Sequence, residues 1–65
     1  MTMLRLYVRW PGQKRYAPVN WREGKQVGNL IYATLFTPED VPSLEAELRA
    51  TADHNVGMGW QFRKV

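Results

Sequence analysis

The sequence predicts an α+β fold: a small two-layer domain, β-β-α-β, with a three-stranded, mainly antiparallel sheet and one helix packed on one face. Three observations predict it. LRLYVRW, Leu4 to Trp10, alternates apolar and polar residues without a slip. LIYATLF, Leu30 to Phe36, is a second run rich in β-branched and aromatic residues. TPED, Thr37 to Asp40, carries a capping residue, a proline and two acids, and an apolar stripe at Val41, Leu44, Leu48 and Ala52 follows.

The first strand, Met3 to Trp10, points Leu4, Leu6, Val8 and Trp10 one way and Arg5, Tyr7 and Arg9 the other. Pro11-Gly12 ends it, because proline lacks the ladder donor and glycine accepts the turn. Residues 11–29 read as a long basic loop. Tyr16-Ala17 and Val19 to Trp21 could form a short edge strand there, which Pro18 keeps from being central. Leu30 to Phe36 reads as the second strand, with Ile31, Ala33 and Leu35 on one face and Leu30, Tyr32, Thr34 and Phe36 on the other.

Pro42 would break a helix that began at Pro38. The expectation is therefore a short turn at Pro38 to Asp40 and a regular helix from Val41 or Pro42 to Ala52. Trp60 to Val65 reads as the last strand, returning antiparallel beside the first and giving the spatial order 2-1-3. The expected core is Leu4, Leu6, Val8, Trp10, Ile31, Ala33, Leu35, Val41, Leu44, Leu48, Trp60 and Phe62.

The 65 residues form one expected domain, 1–65, too short to bury a large core. The chain has no cysteine, and His54 is its only histidine, which excludes thiolate and histidine-rich metal sites within one chain. No cofactor is expected. The longest apolar run falls far short of a bilayer, and no basic stretch with a long apolar core follows Met1. The expectation is a cytoplasmic protein with no membrane partner.

Charge is unevenly placed along the chain. Residues 1–36 carry Arg5, Arg9, Lys14, Arg15, Arg22 and Lys25 against Glu23 alone. Residues 37–65 carry Arg49, Arg63 and Lys64 against Glu39, Asp40, Glu45, Glu47 and Asp53. A basic half and a mildly acidic half give the fold two electrically different sides.

The open sheet face is expected to show Arg5, Tyr7 and Arg9 down the middle strand, flanked by Tyr32 and Thr34 and by Gln61 and Arg63. Guanidinium groups pair with carboxylate or phosphate in a fixed fork, and tyrosines offer a stacking surface. Tyrosine and arginine are also what protein hot spots are made of. A plainly solvated face is the bland alternative, since long stems shield a sheet. A homodimer through this face would bring like charges together, so an acidic partner fits better. Lys14, Arg15 and Tyr16, with Trp21, Arg22 and Lys25, form a second basic-aromatic cluster, although Trp21 is more simply a lid on the core.

Catalysis has little support in the sequence. Ser43, the only serine, sits where helix capping explains it. Asp53 and His54 are adjacent after the helix without a common aim, and a helix C-terminus favours histidine anyway. Glu45 and Glu47, two apart on a helix, diverge. VGMG, Val56 to Gly59, precedes a strand instead of opening a helix, so it is no dinucleotide loop.

These features lead to a non-catalytic protein-binding module, a small regulator or inhibitor of a larger protein. Its expected binding residues are Arg5, Tyr7, Arg9, Lys14, Arg15, Tyr32 and Arg63. Single-stranded nucleic acid on the same face and loop is the alternative.

Overall fold

The computed structural model describes residues 2–65. Five strands and one helix make up the fold. β1 spans Leu4–Arg9, β2 Ala17–Asn20, β3 Lys25–Gln26 and β4 Leu35–Phe36; α1 spans Val41–Asp53 and β5 Gly59–Lys64. Single 3-10 turns occupy Leu30–Tyr32 and Pro38–Asp40.

The expected three-stranded sheet in 2-1-3 order is overturned: the sheet has five strands and curls into a half-barrel. β1 is its centre, and β5 pairs antiparallel along one edge of β1 from Leu4↔Lys64 to Arg9↔Gly59. The other edge of β1 is divided between two short strands. β2 takes Tyr7 and Val8, whereas β4 takes Leu4 and Arg5.

Three hydrogen-bonded devices make that division. Trp10 to Gln13 closes a turn (Gln13 N to Trp10 O, 3.0 Å) in which Gly12 adopts φ +89°, a conformation that glycine accepts without a Cβ clash. The chain therefore doubles back, and β2 forms where the sequence offers a short edge strand, but with β1 on one side and β3 on the other it is not an edge. Val19 O then accepts from Thr34 N at 3.1 Å, while Trp21 N donates to Thr34 Oγ1 at 2.8 Å. Thr34 thus takes over where β2 curls away, and β4 continues the edge. Last, the side-chain amides of Gln13 and Gln26 bond reciprocally (2.9 and 2.8 Å), and Gln26 Nε2 reaches Val8 O at 2.8 Å. These bonds fasten the two-residue β3 to the end of β1.

Leu30 to Phe36 is not one strand, and Asn29 is the reason. Its Oδ1 accepts from Ile31 N at 3.0 Å, which starts a 3-10 turn that consumes the N–H groups of Tyr32 and Ala33. A capping side chain here outcompetes strand propensity. The faces expected for this segment change with it. Ile31 and Leu35, expected in the core, are 75% and 49% exposed, whereas Phe36, expected outside, is buried.

The helix begins at Val41 with Pro42 in the first turn, where its missing N–H has no intrahelical partner to lose. Thr37 and Asp40 brace the turn before it: the N–H and hydroxyl of Thr37 donate to Asp40 Oδ2 at 3.0 and 3.1 Å. Leu44 and Leu48 are the buried stripe of α1. They meet Leu6, Val8, Val19 and Phe36 in one cluster, with Trp10, Trp21, Met58, Trp60 and Phe62 packed around it. Phe36 sits between two edge-on aromatic neighbours, Trp21 at 6.3 Å and Phe62 at 6.4 Å. Trp21 is thereby a part of the core wall.

Candidate functional site

The helix covers one face of the sheet, and the pairing register fixes what the other face shows. Directly opposite residues share a face. Around Tyr7 lie Pro18 from β2 and Gln61 from β5; around Arg5 lie Leu35 from β4 and Arg63 from β5. Next to Arg9 lies Gly59, and Tyr16, the residue just before β2, meets Arg9 from the other side. The result is a three-by-three array with arginines at Arg5, Arg9 and Arg63 and tyrosines at Tyr7 and Tyr16.

Each tyrosine carries a guanidinium. Arg63 lies 4.1 Å above the Tyr7 ring, at the diagonal cross-strand position, and Arg9 lies 5.5 Å from the centre of the Tyr16 ring. Arg63 Nε also donates to Gln61 Oε1 at 2.9 Å, which holds the fork in place. Gly59 makes room for Tyr16: a Cβ at that position would lie 2.7 Å from the Tyr16 hydroxyl oxygen.

Arg5 and Arg9 are half-buried, and their Nε groups are shielded from solvent without a hydrogen-bond acceptor. Stems packed this way lose little further freedom when the guanidinium meets an anion. Among the described residues the ion pairs are Lys25–Glu23 at 3.5 Å and Arg49–Glu45 at 3.4 Å. Arg5, Arg9 and Arg63 therefore have no internal carboxylate within 4 Å, and the face presents unneutralised positive charge.

All seven expected binding residues are accounted for by position. Arg5, Tyr7, Arg9 and Arg63 share the face. Tyr32 does not belong to it: it stands 61% exposed in the 3-10 turn, where it borders a surface hollow with Glu23 and with Lys25 to Asn29. Lys14 and Arg15 are exposed in the turn just ahead of Tyr16, outside any strand. The sequence reading missed Tyr16 and Leu35 as members of the array. The signal for Tyr16 was the Pro11-Gly12 turn, which returns the chain over Arg9.

An apolar hollow of about 220 Å³ lies on the opposite side, between α1 and the β2–β3 hairpin, lined chiefly by Val8, Trp10, Val19, Trp21 and Leu48. Its polar neighbours are already engaged, Gln26 with Val8 O and Thr51 Oγ1 with Glu47 O at 3.0 Å. No group of three or more metal-ligating side chains occurs among the described residues. His54 caps the C-terminal end of α1 and is exposed. No helix of the described residues is long and apolar enough to cross a membrane.

Fold and face together define a small curled-sheet domain with one helix-covered surface and one cationic-aromatic surface. Compared with protein-family models, curated proteins and solved structures, the chain finds no match.

Proposed function

We propose that this chain is a non-catalytic protein-binding module that takes an acidic partner on its Arg5–Tyr7–Arg9–Arg63 face and regulates or inhibits the larger protein it occupies. The reading includes a cytoplasmic location, as the sequence leads one to expect. The observation that carries it is the set of three arginines on one face with no internal counter-ion among the described residues, two of them, Arg5 and Arg9, with their stems already packed. Carboxylates match the guanidinium fork, and charge of one sign on a small face steers an oppositely charged partner.

Nucleic acid is the second reading, because the same arginines suit phosphates. The tyrosines weigh against it. One face of each ring is already taken up by Arg63 or Arg9, which leaves little for a base to stack on. Titration of labelled poly-L-glutamate and labelled single-stranded and duplex oligonucleotides at two salt concentrations separates the readings. The expected result is glutamate-polymer binding that falls with salt and is lost in an Arg5→Glu, Arg63→Glu double variant. Micromolar or tighter oligonucleotide binding that Tyr7→Ala weakens tenfold or more would identify base stacking and overturn the protein-binding reading.

A further inference from the structure

The longest strand edge in the fold is open. β5 pairs only with β1, so one side of a six-residue strand faces no other strand, while β3 and β4 are two residues each. Which backbone groups lie on that open side follows from the register. Val65 N donates to Met3 O at 3.0 Å, which makes Met3 and Val65 a hydrogen-bonded pair. Antiparallel pairs alternate between bonded and non-bonded. Arg63, Gln61 and Gly59 therefore turn their backbone groups toward β1, and Trp60, Phe62 and Lys64 turn theirs outward. Each of those three offers one N–H and one C=O. Among the described residues no other backbone or side chain bonds to them.

The side chains along this edge specify what could pair with it. On the outer face Gln61 and Arg63 stand at the rim, with Arg5 directly behind Arg63. On the inner face Trp60 and Phe62 are half-buried and leave apolar surface at the border of the core. Lys64 closes the edge with a charge, a device that discourages pairing with another cationic edge such as a second copy.

We propose that the open edge of β5 receives a short extended segment of the partner as an added strand, with acidic side chains toward Arg63 and Arg5 and apolar side chains toward Trp60 and Phe62. The proposal rests on the acidic-partner reading above and adds its mode of recognition. Main-chain bonds to Trp60, Phe62 and Lys64 would hold the segment, and the alternation of its side chains would give specificity.

The test uses a capped heptapeptide of alternating glutamate and valine, together with two N-methylated forms, one blocked at the valine amides and one at the glutamate amides. Methylation removes donors on one edge of the peptide strand only, since successive amides point to opposite edges. Binding is followed by tryptophan fluorescence and by amide hydrogen exchange of Trp60, Phe62 and Lys64. The expected result is that one methylated form binds at least tenfold more weakly while the other binds like the parent. Exchange at the three amides should slow tenfold or more in the parent complex. Equal binding by all three peptides would overturn the strand-addition proposal and leave the acidic-partner reading standing. So would a silent heptapeptide beside poly-L-glutamate that still binds through Arg63. Failure of both acidic probes would remove the two together. Protection of the three amides in the free protein, with sedimentation as a dimer, would assign the edge to a second copy and overturn the proposal.

Discussion

Gly59 offers a sharp test of how the cationic face is built. Its backbone is not in the left-handed region, so alanine there meets no strain of its own. The obstacle is Tyr16. A Cβ would approach the hydroxyl oxygen to 2.7 Å and two ring carbons to 3.3 and 3.4 Å, so the phenol must swing aside. That movement ends the contact of Arg9 with the Tyr16 ring, which is worth about 0.5–1 kcal/mol at an exposed site. A side chain forced off its rotamer adds about 0.5–1.5 kcal/mol. Against this, replacing glycine in a strand by alanine gains about 0.5–1 kcal/mol of backbone entropy. Gly59→Ala alone should therefore destabilise the fold by about 1 kcal/mol. In a Tyr16→Ala background the obstacle is gone, and the same change should stabilise by about 0.5 kcal/mol. Urea unfolding followed by the fluorescence of the three tryptophans measures all four corners of the cycle. An equal effect of Gly59→Ala in the two backgrounds would rule out Tyr16 as the obstacle, although the three atoms nearest the new methyl group all belong to it.

Leu6 is completely buried at the centre of β1, so Leu6→Ala should cost about 2–5 kcal/mol, enough to leave this domain largely unfolded by circular dichroism at 37 °C. Asp40→Ala removes the carboxylate oxygen that accepts both bonds bracing Thr37 ahead of α1 and should cost about 1 kcal/mol in thermal unfolding, while Asp40→Asn, which retains an acceptor oxygen, should retain most of the stability. Ile31→Ser should change stability by less than about 0.5 kcal/mol in the same assay, since three quarters of Ile31 is already in water. A loss of several kcal/mol there would mean that Leu30 to Phe36 is the buried strand its composition suggests.

Elements set by local chemistry were legible in the sequence. The period-two alternation of Leu4 to Trp10 marks β1 and sorts Arg5, Tyr7 and Arg9 from Leu6 and Val8. Thr37, Pro38 and Pro42 bracket the start of α1. Elements that exist only through pairing were not. The sequence offers β2 only as a short edge strand on account of Pro18, yet it lies between β1 and β3, and the two-residue β3 has no pattern long enough to stand out before Gln13 and Gln26 hold it. At Leu30 to Tyr32 the sequence misled, because strand propensity is a statement about packing surroundings and Asn29 supplied a cap instead. Tyr32 left the expected face for that reason. Tyr16 joined it because a turn, which carries no periodicity, aimed it there.

The pairing of β1 with β5 also sets the order of events when the chain is made. β1 is synthesised well before β5, the strand with which it has its most extensive partnership. At about 5–20 residues per second, Leu4, Leu6 and Val8 wait for seconds before their longest neighbour exists. Contacts of such large sequence separation also form slowly once both ends are present. A ribosome-stalled chain that stops within α1 already holds β1, β2 and Phe36, yet it should remain open to protease along its whole length. Only the emergence of Trp60 and Phe62 would close it.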